Sequence, residues 1–206
     1  MNGVLEWDSI FGCRVRHAFL KQEQKPDGLV VLFPGRGYTC EKPLLYYAAQ
    51  VAWEQGYDVL CLEYGFYKAG KPFLAEDVAL FCEELCATLR EAEAHSYECL
   101  YCISKSLGTV LAGAVCTLLG HPNVQHLFLT PVERTLPYML NTKSLAVIGT
   151  ADDSFPQACL EQTKADGTCG LVFIEDADHS LETPHGSIHN LSVMQRIAGI
   201  YESFLK

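Results

Sequence analysis

Residues 99–111 read Cys-Leu-Tyr-Cys-Ile-Ser-Lys-Ser-Leu-Gly-Thr-Val-Leu. The apolar run at 100–103 is typical of a short strand buried on both faces, and the apolar segment at 107–119 is typical of a helix packed against a sheet. Ser106 lies at the turn between them. A sharp strand-to-helix turn can present a serine as a nucleophile, but a serine before a helix can also be a simple N-cap.

The residues two positions before and after Ser106 are small, as a tight turn requires. They are Ser104 and Gly108, whereas the common pattern is Gly-x-Ser-x-Gly, so Ser104 departs from it. Lys105 stands directly beside Ser106. Because adjacent side chains diverge at such a turn, we expect Lys105 to be a surface residue or to form an ion pair, and not to pair with Ser106.

The composition favours one globular domain that spans residues 1–206. The chain has 206 residues, of which 49% are hydrophobic, and this allows a substantial core but leaves little room for a second domain. The formal net charge is -10. Because such a charge repels phosphate backbones and anionic lipid surfaces, neither nucleic acid nor a membrane is expected as a partner.

The cysteines and the N-terminal residues predict a cytoplasmic protein. The first residues lack the basic segment and apolar run of a signal peptide, and no apolar run is long enough to cross a bilayer. The 10 cysteines are scattered, without paired zinc-like spacing, so we expect reduced thiols. His185 and His189 could share a helical face, but Gly186 separates them and no third ligand is near, so no metal site is predicted.

Short apolar runs alternate with helix-like segments along the whole chain. After an N-terminal β region at 10–19, strands are predicted at 29–33, 59–62, 100–103, 127–129, 145–148 and 171–174, and helices at 44–54, 75–94, 107–119, 155–164 and 190–204. This alternation predicts an α/β protein, a three-layer α/β/α sandwich with a mostly parallel central sheet. In such sheets, sites form at the carboxyl ends of the strands.

Three of these apolar runs are followed by residues that could carry chemistry. Gly35 and Arg36 follow the first run, where glycine frees backbone N–H groups to bind an oxyanion or simply forms a turn. Asp152 and Asp153 follow the fifth run, where a carboxylate could orient a histidine or cap the next helix. His179 follows the last run, where it could accept a proton or be merely solvated.

The order serine, acid, histidine, each after a strand, resembles that of the α/β-hydrolase family. The resemblance extends from about residue 29 to the C-terminus and includes the acid loop Gly-Thr-Ala-Asp and the histidine loop Asp-Ala-Asp-His-Ser-Leu. It implies that Ser106 is the nucleophile, that His179 is the general base and acid, and that Asp152 orients His179. Asp152 is preferred to Asp153 because the family's acid usually lies three positions after the glycine, here Gly149.

The same resemblance implies an oxyanion hole made of two backbone N–H groups. One belongs to Leu107, directly after the nucleophile, and the second comes from the region of Gly35 and Arg36, by resemblance from Arg36. Many family members have His-Gly where this chain has Pro34-Gly35, so the position of the second donor stays open between the two residues.

The segment at 131–144 is too short to form a large lid, so an open site is expected, suited to small acyl substrates. Small carboxylesterases and dienelactone-hydrolase-like proteins share this compact form, although true dienelactone hydrolases use cysteine as the nucleophile. We therefore expect a serine hydrolase that cleaves a small ester or thioester through an acyl-enzyme and needs no cofactor. An amidase or peptidase with the same triad, and a non-catalytic protein that binds a ligand or partner, remain alternatives. The oligomeric state is left open.

Overall fold

The computed structural model describes residues 2–206, which form one eight-stranded sheet covered by helices on both faces. The strands are β1 (Asn2–Asp8), β2 (Arg14–Leu20), β3 (Leu29–Phe33), β4 (Asp58–Cys61), β5 (Leu100–Lys105), β6 (Val124–Leu129), β7 (Ser144–Gly149) and β8 (Cys169–Ile174). Their order is β1-β2-β4-β3-β5-β6-β7-β8. The pairs β1–β2 and β2–β4 are antiparallel, and all the others are parallel. The predicted fold class is confirmed.

Seven α-helices connect and cover these strands within the described residues. They are α1 (Pro43–Glu54), α2 (Gly65–Lys68), α3 (Asp77–Glu91), α4 (Leu107–Leu119), α5 (Leu136–Asn141), α6 (Gln157–Asp166) and α7 (Ser187–Phe204). Helices α1 and α7 pack together on one face of the sheet, where they share a core cluster with inward residues of β3, β6 and β7. Helices α3, α4, α5 and α6 cover the other face. The sheet is therefore the middle layer of three.

Burial on both faces explains why the parallel strands read as continuous apolar runs. All five residues of β3 are buried, and its neighbour β5 places alternate residues in the two core clusters. Each of the six predicted parallel strands is present, and no strand end differs from its expected position by more than three residues. Helix α4 begins and ends at the residues predicted for it.

In the N-terminal region the predicted strand is present, but its start differs and a further strand precedes it. The strand expected over 10–19 begins only at Arg14, because residues 9–13 form a tight turn in which the N–H of Ser9 donates to the carbonyl of Cys13 over 2.9 Å. Strand β1 was not predicted at all. It is an edge strand whose described side chains are exposed or only half-buried, so it carries little of the apolar signal that marks a strand.

The segment at 131–144 forms a short 3-10 turn (Glu133–Thr135) followed by α5, and it packs beside α4. Tyr138 lies so close to Gly113 that a Cβ at Gly113 would fall 2.2 Å from the Tyr138 ring. This segment is therefore held against the outer side of α4. None of the helices among the described residues combines the length and apolar character that a bilayer crossing requires.

Candidate active site

Ser106 occupies a strained turn between β5 and α4. Its φ is 52° and its ψ is -120°, a conformation that non-glycine residues rarely adopt. Ser106 stands at the N-cap position of α4, but its side chain makes no capping hydrogen bond. Its carbonyl closes the first turn instead, accepting from the N–H of Thr109 at 2.9 Å. The N-cap alternative is therefore wrong for the hydroxyl, which stays available for other contacts.

The two small neighbours of Ser106 have different roles. A Cβ at Gly108 would lie 2.2 Å from the carbonyl oxygen of Phe33 and 2.5 Å from that of Pro34, so only glycine fits there. Ser104 is fully buried and donates a hydrogen bond to the carbonyl of Leu127 at 3.3 Å. The departure from the usual glycine at this position is accommodated because the hydroxyl has a partner in the neighbouring strand.

His179 connects Ser106 to Asp152 through both nitrogens of its ring. Nε2 lies 2.8 Å from Ser106 Oγ, and Nδ1 lies 2.8 Å from Asp152 Oδ2. The Asp152 side chain is only 1% exposed, whereas that of His179 is 36% exposed. An inner carboxylate, a ring and an outer hydroxyl thus form a continuous chain of hydrogen bonds that ends at the surface of the turn.

The environment of Asp152 favours its ionised form. Burial by itself raises the pKa of this carboxyl, but the hydrogen bond with His179 and the one donated by the Ser154 N–H, at 2.9 Å, outweigh it and leave the pKa below its usual value. Asp153 is exposed, and the hydrogen bond to His179 is made by Asp152. The structure therefore brings Asp152, and not Asp153, to His179.

The loops that carry Asp152 and His179 are fastened to each other through their backbones. A Cβ at Gly149 would fall 2.1 Å from the carbonyl oxygen of Ala177, which shows how closely the two loops approach. The Ala151 N–H donates to the same carbonyl at 2.9 Å. Close backbone contact between the ends of β7 and β8 therefore sets the distance between the acid and the histidine.

Two backbone segments adjoin the Ser106 hydroxyl where an oxyanion could bind. The N–H of Leu107 is the first of α4, and such groups have no partner within their own helix. Gly35 lies beside the turn, since a Cβ built on it would be 3.4 Å from Ser106 Cβ. The N–H of Gly35 already donates to the carbonyl of Tyr38 at 3.0 Å, so the N–H of Arg36 is the better candidate for the second donor.

Comparison with solved structures places this geometry in a known fold. No family model and no curated protein matches the sequence. A lid-free α/β serine hydrolase from Xanthomonas campestris superposes with a TM-score of 0.68 at 15% identity, over 97% of this chain and 94% of that one. Est1E from Butyrivibrio proteoclasticus gives 0.70 at 13% identity, over 98% and 99%. A dienelactone hydrolase from Anabaena variabilis gives 0.69 at 15% identity, over 100% and 99%.

The chain has the α/β-hydrolase fold. Its structural neighbours are described as hydrolases, several of them as α/β hydrolases, and the one from Xanthomonas campestris is described as having no lid. At 12–17% identity the likeness establishes the fold and not the reaction, because one fold can carry many chemistries.

Within this α/β-hydrolase fold, Lys105 is not the surface residue that the sequence analysis expected. It is only 2% exposed, and none of the ion pairs among the described residues includes it. Its Nζ donates to Thr130 Oγ1 at 2.9 Å and to the carbonyl of His179 at 2.8 Å. The expectation failed because Lys105 is the last residue of a strand covered on both faces, so its side chain ends among the loops and not in solvent. The sequence signal for the burial of Lys105 is its position as a polar residue at the end of an apolar strand.

Three clefts adjoin the candidate oxyanion region. One, of about 100 Å³, is mainly apolar and is bounded by Arg36, Leu107, Val110 and Val132. A second, of about 320 Å³, is lined by Pro34 and Gly35. The third, of about 240 Å³, is bounded by Arg36 and Phe73. Tyr46 and Tyr67 line the second cleft and are about half exposed, whereas Tyr64, at its edge, and Phe66 belong to the buried core.

His185 and His189 lie away from the hydrogen-bonded chain of Ser106, His179 and Asp152. His185 Nε2 pairs with Asp176 Oδ2 at 2.9 Å, and the rings of His185 and His189 meet edge to face. Among residues 2–206, no group of three or more His, Cys, Asp or Glu side chains is arranged to hold a metal ion.

Proposed function

We propose that this protein is a serine hydrolase that cleaves a small ester or thioester through an acyl-enzyme. One observation carries the proposal: the hydrogen-bonded chain Ser106 Oγ–His179–Asp152, with 2.8 Å at each link, on a strained strand-to-helix turn. Such strain persists only where the surrounding structure enforces it, and it is typical of sites that present a reactive group.

In the first half of the reaction, His179 Nε2 takes the proton of the Ser106 hydroxyl while Oγ attacks the carbonyl carbon of the substrate. The negative charge that develops on the carbonyl oxygen is stabilised by the N–H groups of Leu107 and Arg36. Collapse of this intermediate breaks the bond to the leaving oxygen or sulfur, which receives the proton from His179. The products are an alcohol or thiol and an acyl ester on Ser106.

In the second half, water takes the place of the leaving group. His179 removes a proton from the water as its oxygen attacks the acyl carbon, and it returns that proton to Ser106 Oγ as the acid departs. Asp152 stays ionised throughout, because its pKa is lowered, and it stabilises the positive charge that His179 acquires in both halves.

The cleft beside Leu107 supports a small acyl group as the preferred substrate. Its volume of about 100 Å³ is well below the roughly 300–1,000 Å³ of clefts that enclose drug-sized ligands. Its apolar wall includes Val110 and Val132, which suits a short aliphatic chain. The segment at 131–144 borders this cleft, and α5 is packed against α4.

We further propose that the enzyme works in the cytoplasm on a soluble substrate, with neither nucleic acid nor a membrane as partner. The 10 cysteines support a reducing compartment, since all of them are free thiols, including Cys102 and Cys116 with sulfurs 3.3 Å apart. The net charge of -10 supports the exclusion of anionic partners.

Labelling with a fluorophosphonate tests the proposal most directly, because the probe reacts preferentially with an activated serine. We expect one label per chain, mapped to Ser106 by peptide mass analysis, and none in Ser106→Ala. Ser203→Ala is the matched control, since this exposed serine bonds only within α7, and it should label like the wild type.

A folded wild type that takes no label would contradict the proposal and favour the non-catalytic alternative, a ligand- or partner-binding protein. Where labelling succeeds, p-nitrophenyl esters and anilides with the same acyl groups separate an esterase from an amidase or peptidase. We expect turnover of the esters, and turnover of the anilides at a similar rate would shift the assignment to the amidase or peptidase class.

A further inference from the structure

A buried lysine ties together three of the loops that form the site. Lys105 ends β5, directly before Ser106, and its ammonium lies 5.0 Å from the centre of the Tyr38 ring in the loop after β3. It donates to Thr130 Oγ1 after β6 at 2.9 Å and to the His179 carbonyl after β8 at 2.8 Å. Lys105 therefore contacts loops that follow strands on both sides of β5, namely β3 on one side and β6 and β8 on the other.

The bond to the His179 carbonyl matters most for the chemistry. It holds the backbone of the residue whose ring must lie 2.8 Å from Ser106 Oγ. Ser106 and Lys105 are neighbours, so the strand that carries the nucleophile also carries the anchor of the base. A lost anchor would let the histidine loop shift relative to the turn, and a shift of about 1 Å at reacting groups can cost about 100-fold in rate.

Burying the Lys105 ammonium costs desolvation free energy, so packing alone does not explain why a lysine stands at this position. Its ammonium lacks a directly paired carboxylate among the described residues, although Asp152 and Asp178 face it at longer range. Burial lowers the pKa of Lys105 to about 8, while those two carboxylates act in the opposite direction. An apolar residue would fill the same space without this cost.

We propose that Lys105 is a positioning residue, whose ammonium holds the His179 backbone so that the imidazole stays aligned with Ser106. The proposal rests on the serine-hydrolase function proposed above. Lys105 does not exchange a proton with the nucleophile in this scheme, since Ser106 Oγ is bonded to His179 and the ammonium contacts are with Thr130, Tyr38 and a carbonyl. It acts through His179.

The test compares Lys105→Met with Lys164→Met. Lys164 also lies over an aromatic ring, Phe173 at 5.3 Å, but it is an exposed residue of α6 whose ammonium contacts this ring instead of the His179 backbone, which makes it a matched control. With a short p-nitrophenyl ester, we expect Lys105→Met to lower kcat about 10- to 100-fold with KM within about twofold. Lys164→Met should leave both constants unchanged.

The pH dependence gives a second readout that a purely structural role would not alter. As Lys105 loses its proton, the charge-assisted bond to the His179 carbonyl weakens, so kcat of the wild type should fall above about pH 8. The groups around this ammonium are Tyr38, Asp152, Asp178 and His179. In Lys105→Met this alkaline decline should be absent.

A third readout does not depend on turnover. The proton between His179 Nδ1 and Asp152 gives a downfield proton resonance, identified by its loss in Asp152→Asn. We expect this resonance to shift or broaden in Lys105→Met and to stay unchanged in Lys164→Met. This resonance separates the two proposals. A wild type that does not react with fluorophosphonate overturns the proposed function, whereas the resonance still reports whether Lys105 anchors His179.

Wild-type kcat, an unchanged alkaline decline and an unchanged resonance in Lys105→Met would together overturn the positioning role. If that variant does not fold, Thr130→Val decides, because it removes one acceptor of the ammonium and keeps the charge. We then expect a decline of kcat that begins at lower pH than in the wild type. If kcat declines at alkaline pH neither in the wild type nor in Thr130→Val, the positioning role is equally overturned.

Discussion

At the end of β7, two adjacent aspartates differ in their burial and in their partners. Asp152 and Asp153 are adjacent and chemically identical, yet only Asp152 is buried and bonded to His179. We expect Asp152→Asn to lower kcat by about 10⁴-fold, since an amide there stabilises the wrong tautomer of the ring and cannot balance its charge. Asp153→Asn should stay within about twofold of the wild type. Steady-state kinetics on one ester decides, and equal losses in both variants would contradict the assignment.

Lys105 also predicts a pH effect on stability at the scale of one residue. Its folded pKa of about 8 lies below the 10.5 of a free lysine, so between these values the unfolded chain binds more protons. The cost of burying the ammonium is therefore fully present below pH 8 and is relieved as the pH rises towards 10.5.

Urea denaturation of the wild type and Lys105→Met at about pH 7 and about pH 9.5 measures this effect. The wild type should gain stability relative to the variant at the higher pH. If the difference in unfolding free energy between the wild type and Lys105→Met does not change with pH, or changes in the opposite direction, Lys105 is not buried as a charged ammonium.

At the scale of elements, the approach of α4 to β3 depends on Gly108. A Cβ there meets two backbone carbonyls, which cannot move as a side chain can. We expect Gly108→Ala to destabilise the fold by at least about 1–3 kcal/mol and to abolish fluorophosphonate labelling. Gly199→Ala in α7 is the matched control, since nothing lies within 4 Å of its Cβ position, and it should stabilise by up to about 1 kcal/mol. Thermal unfolding of both variants tests this prediction. A melting temperature of Gly108→Ala equal to that of the wild type would contradict it.

The small cleft beside α4 predicts a preference for short acyl chains. Val132 forms part of its wall, so Val132→Ala should enlarge it and raise kcat/KM for longer p-nitrophenyl esters relative to acetate. Val4→Ala, at an exposed position on β1, serves as the control and should leave the chain-length profile unchanged. A profile that Val132→Ala does not alter would place the acyl group elsewhere, for example in the larger cleft of about 320 Å³.

At the scale of the whole molecule, the parallel sheet brings distant residues together. Ser106 and His179 are 73 positions apart, and His179 and Asp152 are 27 apart, yet each follows a strand that ends at the same edge of the sheet. The order of the strands places β5 at the centre, so loops from both sides reach Ser106. The same central position lets Lys105 contact three of those loops at once.

The sequence by itself determined the fold class, the six parallel strands and the strand ends that carry Ser106, Asp152 and His179. It could do so because apolar runs and turn residues report burial and backbone geometry locally. It missed β1, since the described side chains of this strand are exposed or only half-buried and leave no such pattern.

Only the tertiary structure showed that Asp152 and not Asp153 meets His179, that the N–H of Gly35 already has a partner, and that Lys105 is buried. The physical reason is that each outcome depends on the partner that the folded backbone brings to a group. Asp152 meets His179, and Lys105 meets the loops after β3, β6 and β8, so these partners come from separate parts of the chain. Gly35 meets Tyr38 within its own loop, where the path of the backbone decides which N–H groups are paired.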